Sequence, residues 1–385
     1  MSVAFSRTDN SRLAAWWWSI DQWTLAALMV LILCGALLTL AASPAVANRI
    51  GLAEFHFVIR QMIFLLVAVV VMLWVSFQDV RTVRRLALMM FVVGIVMMAL
   101  TLVVGVEVKG ATRWLRIGPF SVQPSEFVKP GFAVLAAWMF AEARRHEKFP
   151  GRLLATGLLA LTAGLLLLQP DVGMTLVVGA IWAIQFFLGG MPMVVLFILV
   201  GFAFGAAVSA YIIFDHVKAR VDRFLDPAVG EGYQVDRALE AFQSGGLFGR
   251  GPGEGRVKEV LPDAHADFIF AVAGEEYGLI VCLIIVCLFA AIVLRGFIRA
   301  FEMDDLFRLI AVAGLMVQFA LQAIINLSST LNLIPPKGMT LPFISYGGSS
   351  TLALALGMGM VLALTRTCSG SRTDTGRRMR TESAP

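Results

Sequence analysis

The sequence predicts an all-α polytopic integral membrane protein: ten transmembrane helices in one bundle, with a large extracytoplasmic loop between helices 7 and 8. Three observations lead there. The 385 residues are 59% hydrophobic and only 15% charged, where soluble domains run near a quarter charged, and the mean hydropathy is +0.83. The apolar residues come in continuous runs of roughly 20, the length that crosses a bilayer core. The charged residues are concentrated between those runs, most densely in 215–265. Continuous rather than alternating runs exclude a β-barrel.

Residues 1–20 form a cytoplasmic polar arm ending in Trp16, Trp17 and Trp18, with Trp23 just beyond, a cluster suited to the membrane interface. The first apolar run begins only after these tryptophans and is long enough to span, so the arm does not read as a cleavable signal. Spans are predicted over 23–42, 57–77, 85–106, 124–142, 153–168, 171–189, 193–214, 266–294, 307–330 and 347–366. The fifth is short and is separated from the sixth only by Gln169, Pro170 and Asp171. The transmembrane domain is thus 21–366. Residues 367–385 are polar and predicted to be a disordered cytoplasmic tail.

Orientation follows from the basic residues. A cytoplasmic N-terminus puts Arg81, Arg84, Arg85, Arg144, Arg145, Lys148, Arg152, Arg295, Arg299, Arg308 and Arg366 inside. Ten spans return the C-terminus to the same side. The outer connections are then 43–56, 107–123, 215–265 and 331–346. Two of them carry cations against the inside bias: Lys109, Arg113 and Arg116 in one, Lys337 in the other. Several such cations beside carboxylates suggest an anionic ligand reaching the outer face.

Cys34, Cys282 and Cys287 lie inside apolar runs and Cys368 in the tail, which reads as packing rather than a disulfide framework. The net charge of +5 is no nucleic-acid signature, because the basic residues sit between the spans. Four scattered histidines give no metal-ligand spacing, and no Ser-His-Asp arrangement is legible.

Pro124 suits the first turn of a helix, capped by Ser121 or Gln123. Glu126 and Lys129 then share one helical face. Charges at membrane depth cost roughly 2.5–3.5 kcal/mol each on insertion scales, so the two should pair, either as a structural ion pair or lining a wet cavity. Arg113, Trp114 and Arg116 read as an interfacial anchor or as recognition of a diphosphate, which matches the planar guanidinium fork. GGLFGRGPGEGR lacks the GK[ST] ending of a phosphate loop and reads as a flexible turn. Asp263 fits a helix N-cap, and Asp267 one turn later fits either a structural cap or a catalytic base held between an apolar wall and nearby cations. Glu275 and Glu276 lie deeper and point apart, so at most one shares the Asp267 face. Asp171 after Pro170 reads as a cap. The Pro/Gly-rich NLIPPKGMTLPFISYGGSS, the re-entry to the last span, places Lys337, Ser345 and Tyr346 within reach of a ligand, or is simply irregular backbone buried at membrane depth.

GATRWLRIGPFSVQPSEFVKP, GGLFGRGPGEG, LPDAHADFIFAVAGEEYG and PPKGMTLPFISYGGSS, in that order, resemble the shape, elongation, division and sporulation (SEDS) family of bacterial membrane proteins over nearly the whole chain. The KGMTLPFISYGGSS form is similar to division rather than elongation members. The chain departs from the common pattern at Gly255, Ala266, Thr330 and Pro336, leaving the carboxylate and the ion pair intact.

The resemblance implies a peptidoglycan glycosyltransferase that polymerises lipid II at the outer face of the inner membrane, at the division septum. It implies a class B penicillin-binding transpeptidase and other divisome membrane proteins as partners, besides membrane lipid and the substrate. The essential aspartate of the family falls on Asp267, its intramembrane pair on Glu126 and Lys129, and its loop tryptophan on Trp114. Glycosyl transfer from an undecaprenyl diphosphate donor needs a base for the acceptor hydroxyl. It also needs cations, or a divalent metal ion (Mg or Mn), at the departing diphosphate; no other cofactor is implied. A second carboxylic acid is dispensable, because diphosphate is already a good leaving group. The candidate base is Asp267, and the candidate substrate-binding residues are Arg113, Trp114, Glu126, Lys129, His265, Lys337 and Ser345. The competing functions are a lipid II flippase, an elongation-type polymerase and a non-catalytic recruitment scaffold.

Overall fold

The computed structural model describes residues 11–367 apart from 109–110, 119, 214–217, 219–221, 223–232 and 336. Lys109, Pro336, most of the first part of the 215–265 loop and the tail from Cys368 therefore lie outside the described residues. Each of the ten predicted segments is occupied by a helix: α2 (Gln22–Arg49), α3 (His56–Ser76), α4 (Val80–Val104), α5 (Pro124–Arg145), α6 (Gly151–Leu168), α7 (Val172–Leu188), α8 (Met193–Ile213), α11 (Ile269–Phe301), α12 (Leu306–Thr330) and α13 (Gly348–Leu364). Six of these, α2, α3, α4, α6, α11 and α12, are long and apolar enough to cross a membrane. The apolar α7 and α13 are 17 residues each, and α5 carries Glu126, Lys129, Glu142, Arg144 and Arg145. The protein is a helical membrane protein.

The interior is built on α5, α12 and α13. From Pro124 to Ala137 only Phe127 on α5 escapes burial, and α13 is buried along nearly its whole length. By contrast α3, α4 and α6 leave Leu66, Val96 and Leu153 largely exposed, the mark of lipid-facing surfaces.

The predicted arm is not featureless. Its tryptophans lie on α1 (Arg12–Ser19), with Ser11 accepting the Ala14 N–H at the N-cap. Trp16 stacks on Phe77 at 4.5 Å and donates to Ser76. Next, Asp21 takes a two-pronged hydrogen bond from Arg295, tying the start of α2 to the end of α11.

Two expectations are corrected in the segments between the long helices. The fold is not all-α: 106–122 is a three-stranded antiparallel meander, β1 (Val106–Val108), β2 (Ala111–Ile117) and β3 (Phe120–Val122). The pairing sets Val106 opposite Trp114 and Arg116 opposite Ser121. Its residues suit strands, but the run is short and abuts the apolar end of α4. The later loop also contains α9 (Tyr233–Gly245) and the single turn α10 (Val257–Val260).

The second correction concerns the entry to α11. Asp263 caps no helix: it has a left-handed φ of 51°, and the helix starts only at Ile269, with Phe268 at the N-cap position. Asp267 therefore sits in a turn that precedes the helix. The helix is itself interrupted at Gly278 (φ 80°, ψ 179°). The Gly-rich run, expected to be a flexible turn, fits into this break. Leu279 and Ile280 donate to the carbonyls of Gly246 and Leu247, and the carbonyls of Glu275 and Glu276 accept from Arg250 and Gly251. A Cβ on Gly278 would lie 2.4 Å from the Gly249 nitrogen, so the close approach and the positive φ both require glycine.

Candidate functional site

The site is assembled around the N-terminal end of α7. Asp171 accepts the Met174 N–H as its N-cap, as its position after Pro170 predicted. From β2, Arg113 reaches across: its Nε donates to the Gln169 carbonyl at 3.1 Å, a terminal nitrogen donates to the Pro170 carbonyl, and the other stands 3.5 Å from the Asp171 carboxylate. Arg113 is thus an organised cation, held by two carbonyls and an acid, with part of its side chain still open. Trp114 follows on the same strand, half-buried.

Lys337 enters from the irregular 331–347 segment, its side chain over the start of α7. A Cβ on Gly173 would lie 3.2 Å from Lys337 Cδ and 3.7 Å from its Nζ. Arg113, Asp171, Gly173, Lys337, Gly338 and Gln123 line one cavity of about 110 Å³. Asp267 does not itself line the cavity but stands beside Gly338, which does. A Cβ on Gly338 would lie 3.3 Å from Asp267 Oδ2, so the absence of a side chain there lets the carboxylate come close. The Asp267 main chain is fixed from α12, with its carbonyl accepting from Asn326 at 3.0 Å and from Thr330 at 3.5 Å.

The ion pair is a separate, buried element. Lys129 Nζ stands 2.8 Å from Glu126 Oε2, with both side chains almost wholly buried. Lys129 also donates to Gln322 Oε1 at 3.0 Å, while Gln322 Nε2 donates to Ser350, to the Thr340 hydroxyl and to the Thr340 carbonyl. The pair is therefore connected to the segment that carries Lys337 without sharing the cavity lined by Arg113.

His265 and Ser345 lie elsewhere. The His265 ring sits 4.6 Å from Phe57 and 5.2 Å from Tyr346, and its Nδ1 has no hydrogen-bond partner among the described residues. Burial pushes its pKa down to about 4; Asp263 opposes that shift and Arg49 reinforces it. The ring is therefore neutral at pH 7. Its carbonyl accepts the Tyr346 N–H, tying the Asp267 turn to the 331–347 segment. Ser345 is buried, accepts the Leu341 N–H at 2.8 Å and closes a turn.

The structure also assembles a polar row that the sequence reading did not bring together. On α12, Gln318, Gln322, Asn326 and Thr330 recur at every fourth position, and all four are buried. That spacing is one helical face. A polar stripe inside an apolar span was the available signal, masked because none of the four is charged.

The profile of the cell cycle protein family FTSW_RODA_SPOVE matches residues 21–369. A "Probable peptidoglycan glycosyltransferase FtsW" of Caulobacter vibrioides (strain NA1000 / CB15N) is 46% identical over 364 residues, covering 94% of this chain and 93% of that protein. A protein of the same description from Trichlorobacter lovleyi is 35% identical, over 83% of this chain and 86% of that one. Among solved structures, a peptidoglycan synthase complex described as coordinating polymerization and crosslinking matches with a TM-score of 0.76 at 26% identity, over 90% of this chain and 97% of that one. The Thermus thermophilus rod shape determining protein RodA matches with a TM-score of 0.67 at 27% identity, over 91% and 97%.

Proposed function

Because the chain belongs to the FTSW_RODA_SPOVE family of cell cycle proteins, we propose that it is a peptidoglycan glycosyltransferase of the division type, polymerising lipid II at the outer face of the bacterial inner membrane during septal wall synthesis. One observation carries the site assignment: Arg113 and Lys337 line a single cavity, and the Asp267 carboxylate lies next to Gly338 in that lining. At about 110 Å³ the cavity is small beside the ~300–1,000 Å³ of ordinary ligand clefts, which suits the diphosphate of the donor rather than its saccharide.

In this reading Asp267 is the general base. It takes the proton from the acceptor hydroxyl as that oxygen bonds to the anomeric carbon of the donor, and the bond from that carbon to the diphosphate oxygen breaks. Arg113 and Lys337 stabilise the negative charge on the leaving diphosphate, and Trp114 contacts the substrate beside Arg113. Glu126 holds Lys129 in place, and Lys129 acts through Gln322 and Thr340. His265 and Ser345 shape the turns that bring the Asp267 and Lys337 segments together.

Among the described residues no group of three or more His, Cys, Asp or Glu side chains converges. The donor set therefore fits a divalent cation only as one carried chiefly by the diphosphate oxygens and completed by Asp171 or Asp267. Such an ion would supply charge neutralisation at the leaving group.

All ten long helices span in this reading, both termini are cytoplasmic, and the sheet, the Asp267 turn and the 331–347 segment face outward. A class B penicillin-binding transpeptidase is the partner, alongside other divisome proteins; similarity to a synthase complex that couples polymerization to crosslinking supports this. The test is incubation of the purified full-length protein with lipid II, with and without the transpeptidase. Glycan strands are expected with the partner present. Translocation of lipid II without polymer would favour the flippase instead.

A further inference from the structure

Glu275 and Glu276 are buried carboxylates that the mechanism above does not use. Their contacts are unusually complete. Glu275 Oε1 accepts the N–H groups of Arg256 and Val257 at 2.7 and 2.8 Å, and Oε2 accepts that of Lys258 at 3.1 Å. Glu276 Oε2 accepts the Gly253 N–H at 3.1 Å, and its Oε1 is bound to Lys258 Nζ. Lys258 Nζ also donates to the carbonyls of Gly253 and Ala41, both at 3.2 Å.

These contacts close a loop in the chain. Lys258 and Glu275 are joined, and Asp267 lies between them. At its base the 258–275 segment is pinned by two carboxylates. Further along, the Asp267 carbonyl is held by Asn326 and the His265 carbonyl by the Tyr346 N–H. An apolar contact would hold a loop on a helix at lower desolvation cost than buried charges. Three consecutive N–H groups on one carboxylate instead select a single register, because a slip of one residue leaves a buried charge and a donor unmatched.

We propose that Glu275, seconded by the Lys258–Glu276 pair, is a positioning residue that holds the Asp267 turn in catalytic register against Gly338. This rests on the reading of Asp267 as the base. Glu275 touches no substrate and acts through the 258–268 backbone.

The test is Glu275→Gln in the full-length protein assembled with its transpeptidase. Two readouts are used: hydrogen exchange of the 256–268 amides, and kcat and KM for lipid II polymerisation. The isosteric amide turns one acceptor into a donor facing backbone N–H groups. Exchange across 256–268 should accelerate, while kcat falls about 100-fold with KM little changed, as a misplacement of about 1 Å would produce. On an Asp267→Asn background, the same substitution should cause almost no further loss, because both act on one step. Unchanged exchange, or an equal proportional loss on that background, would overturn the proposal. If Glu275→Gln does not reach the membrane folded, Glu276→Gln, which keeps an acceptor for Lys258, is measured for the same two changes. A fully active Asp267→Asn protein would remove the base assignment alone, and the exchange measurement would still decide whether the clamp exists.

Discussion

Lys129 and Glu126 meet at 2.8 Å one turn apart on α5, with Lys129 1% and Glu126 4% exposed. Both side chains are almost wholly buried, so each charge depends on the other, and Lys129 also on Gln322. Removing one partner of a buried pair typically costs about 3–5 kcal/mol, because the remaining charge is stranded. Lys129→Ala should therefore lower the thermal unfolding temperature sharply, whereas the double substitution Glu126→Gln with Lys129→Met should recover most of the loss. Polymerisation should be impaired in both, since both remove the positive charge that Gln322 links to Thr340. A Lys129→Ala protein as stable as the parent would contradict the buried pair.

Gly338 offers a gentler probe of the site. A methyl group there would stand 3.3 Å from Asp267 Oδ2, and the backbone at 338 needs no left-handed conformation. Gly338→Ala should leave the unfolding temperature unchanged and lower kcat about tenfold, by shifting the carboxylate a few tenths of an ångström. Steady-state kinetics beside thermal unfolding would separate the two effects. An unaffected kcat would mean that the carboxylate does not work from this position.

The neutral His265 ring makes stability depend on pH. Its pKa falls from 6.5 to about 4 on folding. Between those values the unfolded chain binds more protons than the folded one, so stability rises with pH there. The contribution is fully present above 6.5 and is lost as pH falls toward 4; a shift of this size corresponds to on the order of 3 kcal/mol. The unfolding temperature should drop between about pH 7 and about pH 4.5, and the drop should be smaller in His265→Gln. Identical pH profiles would place the titration elsewhere.

The long helices were legible because continuous apolar runs leave few alternatives once water is absent. The same physics hid the break in α11. GEEYG sits within an otherwise apolar stretch, and only the distant GGLFGRG segment, which donates to the freed carbonyls and accepts the freed N–H groups, makes the interruption affordable. The pairing of Glu126 with Lys129 could be read from helical spacing alone. The anchoring of Arg113 could not, because its acceptors are the backbone carbonyls of Gln169 and Pro170, more than fifty residues away. Asp263 as a cap was a reasonable reading of local chemistry. Tertiary contacts from Asn326 and Tyr346 instead hold the 263–268 turn out of the helix.

The most direct measurement is polymerisation of lipid II by the purified complex carrying Asp267→Asn. The amide preserves the size of the side chain beside Gly338 and removes its basicity. The variant should fold with unchanged stability and still bind its transpeptidase and lipid II, but form glycan strands at least about a hundredfold more slowly, within the range general-base catalysis contributes. Glycan synthesis at the parental rate would contradict the assignment of Asp267 as the base.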